Sequence, residues 1–342
     1  MCHHFSITYY AGGEKTLLNL ARALKYRGHK VSIYSIPLAR REVNIADTLS
    51  VPYSEKWLQR IDDADVAYYV YAPLLHRMLE TDAPRIAGLH SAIYSLEMQH
   101  EDVKKMNIVT FARYFGLLRT LTRLYFALRR GELNTYNAIH IVNPAMKDKA
   151  GHSQTYFIPN GIDLDRFTRL PVDPTQKRKK FTVLFPGRRE WSKGLDMYLE
   201  IAMLLSKHDI ETTVFGSSLA NMKGLGFVQE EDLPRVYAET HLVVYPSRID
   251  TMSVTILEAL ASGAPVITTP TASHTTFNLP VTYASNPAET AKRILEAKDE
   301  YENRPEEYLR RVTMGRTSVE EYDVRRVAQA FEKMFIDVIK NL

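Results

Sequence analysis

The sequence predicts an α/β protein built from two doubly wound parallel sheets, and three observations predict it. Short β-branched or aromatic runs alternate with helical patterns through almost the whole chain, the mark of parallel strands joined by helical crossovers. Strands end in small-residue turns that open a helix, as at Pro186-Gly187. The 342 residues exceed what one small core organises, and a Pro-containing, basic, apolar-poor stretch separates two alternating series. The reading therefore has a first domain at 1–167, a linker at 168–180 and a second domain at 181–321.

The elements follow in order. Residues 1–10 are short for the opening strand of such a sheet and carry two histidines. Cys2, His3 and His4 make a poor metal set, because adjacent residues on an extended segment point to opposite faces. Gly12 and Gly13 then open a first helix with Leu17, Leu20, Ala21 and Leu24 on one face and a stop at Gly28. First-half strands are expected at 31–36, 66–72, 85–90, 138–143 and 155–159. A helix over 112–130 would place Phe111, Tyr114, Leu117, Leu118, Leu121, Leu124, Tyr125 and Leu128 on one face, with Arg119, Arg123 and Arg130 opposite. Acidic residues are absent between Asp102 and Glu132, so this helix either packs on its own sheet or meets an anionic membrane. Second-half strands are expected at 181–186, 211–216, 242–247 and 265–269, with helices at 195–205, 254–261, 288–297 and 322–339.

Two constellations carry chemistry. A helix beginning near Thr251, Met252 and Ser253 aims unpaired backbone N–H groups and the positive end of its dipole at whatever lies in front. Asp250 stays in the loop before that helix, and Glu258 looks back from one turn inside it. Carboxylates beside an anion site suit a hydroxyl-rich group, so the pair suggests a nucleotide-sugar. Arg188 and Lys193 flank the turn after the strand at 181–186, where two cations five residues apart would clamp a diphosphate without a metal. Taken alone, each set reads as an ordinary helix cap or solvated surface; both lie at strand carboxyl ends, where such sheets bind ligands.

These residues resemble the family 4 retaining glycosyltransferases of the GT-B fold. GRREWSKG at 187–194 is similar to the family's G-R-x-x-x-x-K-G turn, and DTMSVTILEALASGAPVI at 250–267 to its E-x7-E segment. AGGEKTLLNLARALKYRGHKV at 11–31 looks like its glycine loop and first helix, and PRIAGLH at 84–90 like the strand ending in its active-site histidine. IPNGIDLDRF at 158–167 and GFVQEEDLPRVYAETHLVVYPS at 226–247 match its inter-domain segment and the lead-in to its carboxylate loop. Asp250 departs from the pattern, standing where the family's first glutamate is usual. The resemblance implies two Rossmann-like domains facing across a cleft, with the final helix at 322–342 packed back on the first. It implies that Glu258 binds ribose, that Asp250 faces the donor sugar, and that His90 bonds that sugar near the reacting carbon.

The expected activity is metal-independent transfer of a hexose from a UDP- or GDP-sugar to a glycan or lipid-linked acceptor, with retention of configuration. Catalytic work falls to His90, Arg188, Lys193 and Asp250, and donor binding adds Gly12, Gly13, Thr251, Met252, Ser253 and Glu258. No cofactor is expected. Two Asp-x-Asp pairs, Asp63/Asp65 and Asp163/Asp165, read as surface and inter-domain residues rather than metal ligands. Gly13-Glu14-Lys15-Thr16 lacks the glycines of a phosphate-binding P-loop. A net charge of +4 is too small to argue for nucleic acid. No run approaches the roughly 18 to 20 apolar residues of a spanning helix, no signal peptide is evident, and Cys2 is the only cysteine. A cytoplasmic protein, working at the inner face of the membrane if its acceptor is lipid-linked, is expected. An epimerase or phosphorylase of the same fold, or a non-catalytic partner subunit, is the competing class; retention of Arg188, Lys193 and Glu258 argues for an enzyme.

Overall fold

The structure is a computed structural model that describes residues 1–7, 12–38, 50–90, 103, 105–117, 120–121, 124–125, 130–168, 180–187, 191–215, 223–226 and 228–341. The chain divides into two compact units, Met1–Ile162 with Tyr322–Leu342, and Asp163–Glu321.

The first unit holds a parallel sheet in the spatial order Tyr53–Glu55, Ile33–Ser35, Cys2–His3, Ala67–Val70, Arg85–Leu89, Ala138–Ile141, Thr155–Phe157. Central strands such as Ala67–Val70 and Ala138–Ile141 are buried at every position, because helices cover both faces and leave no solvent side to favour alternation. Cys2–His3 is only two residues long yet sits centrally, pairing through Cys2 with Tyr34 on one side and Tyr69 on the other. The helix Gly12–Tyr26 buries Leu17, Leu20, Ala21 and Leu24, as their spacing requires. It packs on the last helix, Val324–Lys340, whose Val327, Ala328, Phe331, Met334 and Val338 join the same core. Asp323 caps that helix by accepting from Arg325 N at 2.7 Å. Gly161 lets the crossing chain approach, since a Cβ there would lie 3.0 Å from Val324 Cα.

The second unit repeats the pattern in the order Lys223–Gly224, Glu211–Phe215, Thr182–Pro186, Leu242–Tyr245, Val266–Thr268, Thr282–Tyr283. Its first strand, Thr182–Pro186, therefore has the second on one side and the fourth on the other, which makes its carboxyl end a topological switch point. Residues just after Ile162 pack with this unit: Arg166 pairs with Glu230 at 2.5 Å and the Phe167 ring meets Tyr237. Linker residues 169–179 lie outside the described residues.

Three expectations need correction. The single helix at 112–130 is interrupted, because the helix Ile108–Phe115 ends at Gly116, whose φ of 84° leaves the helical region. Short edge strands at Tyr53–Glu55, Lys223–Gly224 and Thr282–Tyr283 had no apolar run to announce them. The helix expected at 288–297 runs from Pro287 to Asn303, capped by Asn286 with proline at its first position.

Candidate functional site

At the switch point of the second unit, the turn after Thr182–Pro186 and the turn after Leu242–Tyr245 are locked together. Gly194 has φ 74°, and a Cβ on it would lie 2.2 Å from the Pro246 carbonyl oxygen, so only glycine lets the two turns touch. Arg248 forks onto Asp196 with two bonds of 2.6 Å and lies over the Trp191 ring at 4.9 Å. Ser247 Oγ donates to the Ser192 carbonyl at 3.1 Å.

This clamp brings Lys193 and Asp250 together across Tyr245. Lys193 Nζ donates to Tyr245 Oη at 2.7 Å and stands 3.4 Å from Asp250 Oδ2, while Tyr245 Oη donates to the same Oδ2 at 2.6 Å. The other oxygen of Asp250 accepts from Thr251 N at 2.9 Å. Burial alone would raise the Asp250 carboxyl, but Lys193, His274, the Tyr245 hydroxyl and the Thr251 N–H together hold it below the ordinary aspartate value. Burial and the Asp250 charge push the Tyr245 hydroxyl up to about 12, so it remains a donor. The helix Val254–Ala261 starts immediately beyond, capped by Ser253, with Thr251, Met252 and Ser253 all buried. Glu258 sits one turn in, its Oε2 accepting from Tyr237 Oη at 3.4 Å. Arg188 lies outside the described residues.

In the first unit, His90 directly follows the strand Arg85–Leu89, and Gly13 opens the helix Gly12–Tyr26. The fold brings these two together: His90 and Gly13 line one recess with Thr16, Tyr68, His140 and Asn160. A Cβ on Gly13 would meet His3 Nε2 at 3.9 Å, an ordinary contact, so the protein's own packing does not demand glycine there. Sequence reasoning missed Tyr245, Tyr68 and His140. Each stands in a strand that reads as buried core, and the only available signal was a polar-tipped side chain near a strand's carboxyl end.

The Asp-x-Asp pairs have other places. Asp63 and Asp65 are exposed, and Asp163 caps the short helix Leu164–Phe167 by accepting from Arg166 N at 3.2 Å. Among the described residues no group of three or more His, Cys, Asp or Glu is arranged to hold a metal ion. No helix among them is long and apolar enough to cross a membrane.

Residues 180–299 match the family model described as glycosyl transferases group 1. The chain is 30% identical over 147 residues to mannosylfructose-phosphate synthase of Agrobacterium fabrum, covering 33% of this chain and 32% of that protein. It is 32% identical over 246 residues to an uncharacterized glycosyltransferase of Methanocaldococcus jannaschii, covering 65% of this chain and 57% of that one. The chain thus spans about a third of the first relative and rather more than half of the second. Among solved structures, HepE of Anabaena in complex with UDP and glucose superposes with a TM-score of 0.71 at 15% identity, covering 97% of this chain and 98% of that one. Sucrose-phosphate synthase from Thermosynechococcus elongatus gives 0.71 at 15%, covering 100% and 99%. The fold is GT-B, with a doubly wound parallel sheet in each of its two units.

Proposed function

We propose that this GT-B chain, whose second unit carries the group 1 glycosyl transferase segment, moves a hexose from a UDP- or GDP-sugar to a glycan or lipid-linked acceptor and retains the anomeric configuration. The observation that carries the reading is the Lys193–Tyr245–Asp250 cluster at the switch point, set directly before the amino end of the helix Val254–Ala261. An ammonium, a buried phenol and a carboxylate beside the amino end of a helix suit a ligand that is anionic at one end and hydroxylated at the other.

Breaking the bond from the anomeric carbon to a nucleoside diphosphate builds charge on the leaving phosphate, and stabilising that charge is the main task. Lys193 and Arg188 would supply it together with the amino end of the helix Val254–Ala261. Before the diphosphate arrives, Lys193 is held in place by Tyr245 and Asp250, so the ammonium is oriented in advance. Asp250 is then the natural contact for a sugar hydroxyl and Glu258 for the ribose. In the first unit, Gly12 and Gly13 at the start of the first helix, and His90, which shares a recess with Gly13, are the proposed substrate contacts. A pair of side-chain cations doing this work would need no divalent ion. The exposed apolar residues near Leu117 support a peripheral contact with membrane if the acceptor is lipid-linked.

Thermal unfolding against a panel of nucleoside diphosphates and nucleotide-sugars tests the donor, and transfer in excess EDTA tests the metal. Stabilisation by a UDP- or GDP-sugar and undiminished transfer are expected. Loss of transfer that magnesium or manganese restores would discard the cationic clamp.

A further inference from the structure

Three side chains and one carbonyl form a hydrogen-bonded file in the first unit. His140 Nε2 lies 2.8 Å from the Ile158 carbonyl oxygen, His140 Nδ1 lies 2.7 Å from Tyr68 Oη, and that hydroxyl lies 2.5 Å from His90 Nε2. A carbonyl oxygen only accepts, so His140 Nε2 carries a hydrogen. His140 is fully buried, and burial pushes its pKa down to about 4, so the ring is neutral and Nδ1 holds a lone pair. That lone pair accepts a hydrogen bond from Tyr68 Oη. Burial keeps the phenol protonated, and it has one hydrogen to give. Having given it to His140, Tyr68 can only accept from His90. His90 Nε2 therefore carries the hydrogen. Burial and the neighbouring His140 and His3 rings hold His90 neutral, with Asn160 only partly offsetting them, and a neutral ring has one N–H. Nδ1 of His90 is left as an acceptor.

We propose that the Ile158 carbonyl, acting through His140 and Tyr68, sets the tautomer of His90, so that His90 meets a ligand as a hydrogen-bond acceptor at Nδ1 and selects a hydroxyl there. Tyr68 and His140 are positioning residues. A second observation shows that the file is built into the backbone: a Cβ at Gly88 would lie 2.0 Å from Tyr68 Oη and 3.1 Å from His90 Nε2. The hydroxyl reaches both rings only because residue 88 has no side chain. The tautomer follows from the hydrogen-bond distances and the burial that keeps both rings neutral, whereas the selecting role rests on the transferase reading above.

The two parts have separate tests. In the full chain labelled with ¹⁵N-histidine, two-bond ¹H–¹⁵N spectra distinguish the tautomers, and His90→Gln identifies the His90 signals. A neutral Nε2–H ring is expected for His90, turning to a mixture of tautomers in Tyr68→Phe, which removes one oxygen and leaves the packing. Gly88→Ala, which displaces the hydroxyl, should do the same. An Nδ1–H ring in the unaltered protein, or an unchanged pattern in Tyr68→Phe with the fold intact by thermal unfolding, overturns the proposal. For the selecting role the probes are UDP-glucose and GDP-mannose against UDP and GDP. Tyr68→Phe should weaken binding of the nucleotide-sugar by about tenfold and leave that of the free diphosphate unchanged. Equal loss for both, or no loss, removes the selecting role. No binding of any probe by the unaltered protein removes it together with the transferase reading, while the spectra still decide the tautomer.

Discussion

At the scale of single residues, the informative side chain is Asp250, which is one methylene shorter than glutamate and is drawn onto Tyr245 and Lys193. Its pairing assigns different outcomes to neighbouring substitutions. Asp250→Ala should lower turnover by about 10²-fold, since it removes both a sugar contact and the group that orients Lys193. Binding of the free nucleoside diphosphate should change far less, because that product lacks the sugar and Tyr245 still holds Lys193. Glu258→Ala should instead weaken binding of UDP or GDP itself, the ribose being common to donor and product. Calorimetry on both variants decides, and a normal Asp250→Ala enzyme would show that the roles sit on the wrong carboxylates. Lys193→Ala should lower turnover by about 10²-fold or more with the fold kept, its ammonium being partly exposed. Spacing in the sequence was enough to mark Lys193, Asp250 and Glu258, because a strand end followed by a helix start constrains where their side chains stand. Tyr245 was illegible: a tyrosine closing a strand is ordinary core, and only the contact across the sheet reveals its hydroxyl as the bridge.

Among the elements, the segment from Ile108 onward departs most from its sequence pattern. The heptad-like spacing anticipated one broad apolar face, and Phe111 does turn inward at 1% exposure. Beyond Gly116 the register is reset, and Leu117, Leu121 and Leu124 are 69%, 53% and 41% exposed, with Val109 at 74%. A glycine inside a helical pattern is usually tolerated, so the break was not legible without its backbone angle. Exposed leucines beside a stretch free of acidic residues are the observation that favours an anionic membrane surface for this element. Leu117→Gln with Leu121→Gln should reduce co-sedimentation with anionic vesicles, and so should Arg119, Arg123 and Arg130 changed together to glutamine. The three arginines were grouped from the sequence, and Arg119 and Arg123 lie outside the described residues. Equal sedimentation of all variants, or none by the unaltered protein, removes the membrane reading.

For the whole molecule, the doubly wound architecture was legible because fully buried parallel strands leave continuous apolar runs, and the edge strands were not, because one covered neighbour is too little to impose such a run. The same burial gives the two units different responses to acid. His3, His90 and His140 lie in the first unit, and burial lowers the pKa of each, to about 4 for His3 and His140. The second unit has His274 shifted in the same direction, with Asp250 partly opposing the shift. A histidine whose folded pKa lies below its unfolded value near 6.5 adds nothing above pH 6.5, where both states are neutral. Below that the unfolded chain takes up the proton first, so stability falls with pH through the window from about 6.5 to about 4. Each such proton contributes a slope of up to about 1.4 kcal/mol per pH unit. Urea unfolding between pH 7.5 and 4.5 should therefore show a midpoint that is flat at first and then drops, with two or more protons linked to the first unit's transition. His140→Gln keeps a side chain able to donate to the Ile158 carbonyl and removes one titrating ring, so it should shallow the slope by about one proton. A slope the same in both proteins would mean that His140 does not enter the folded state neutral, and the order of donors running from His90 through Tyr68 and His140 to the Ile158 carbonyl would fall with it.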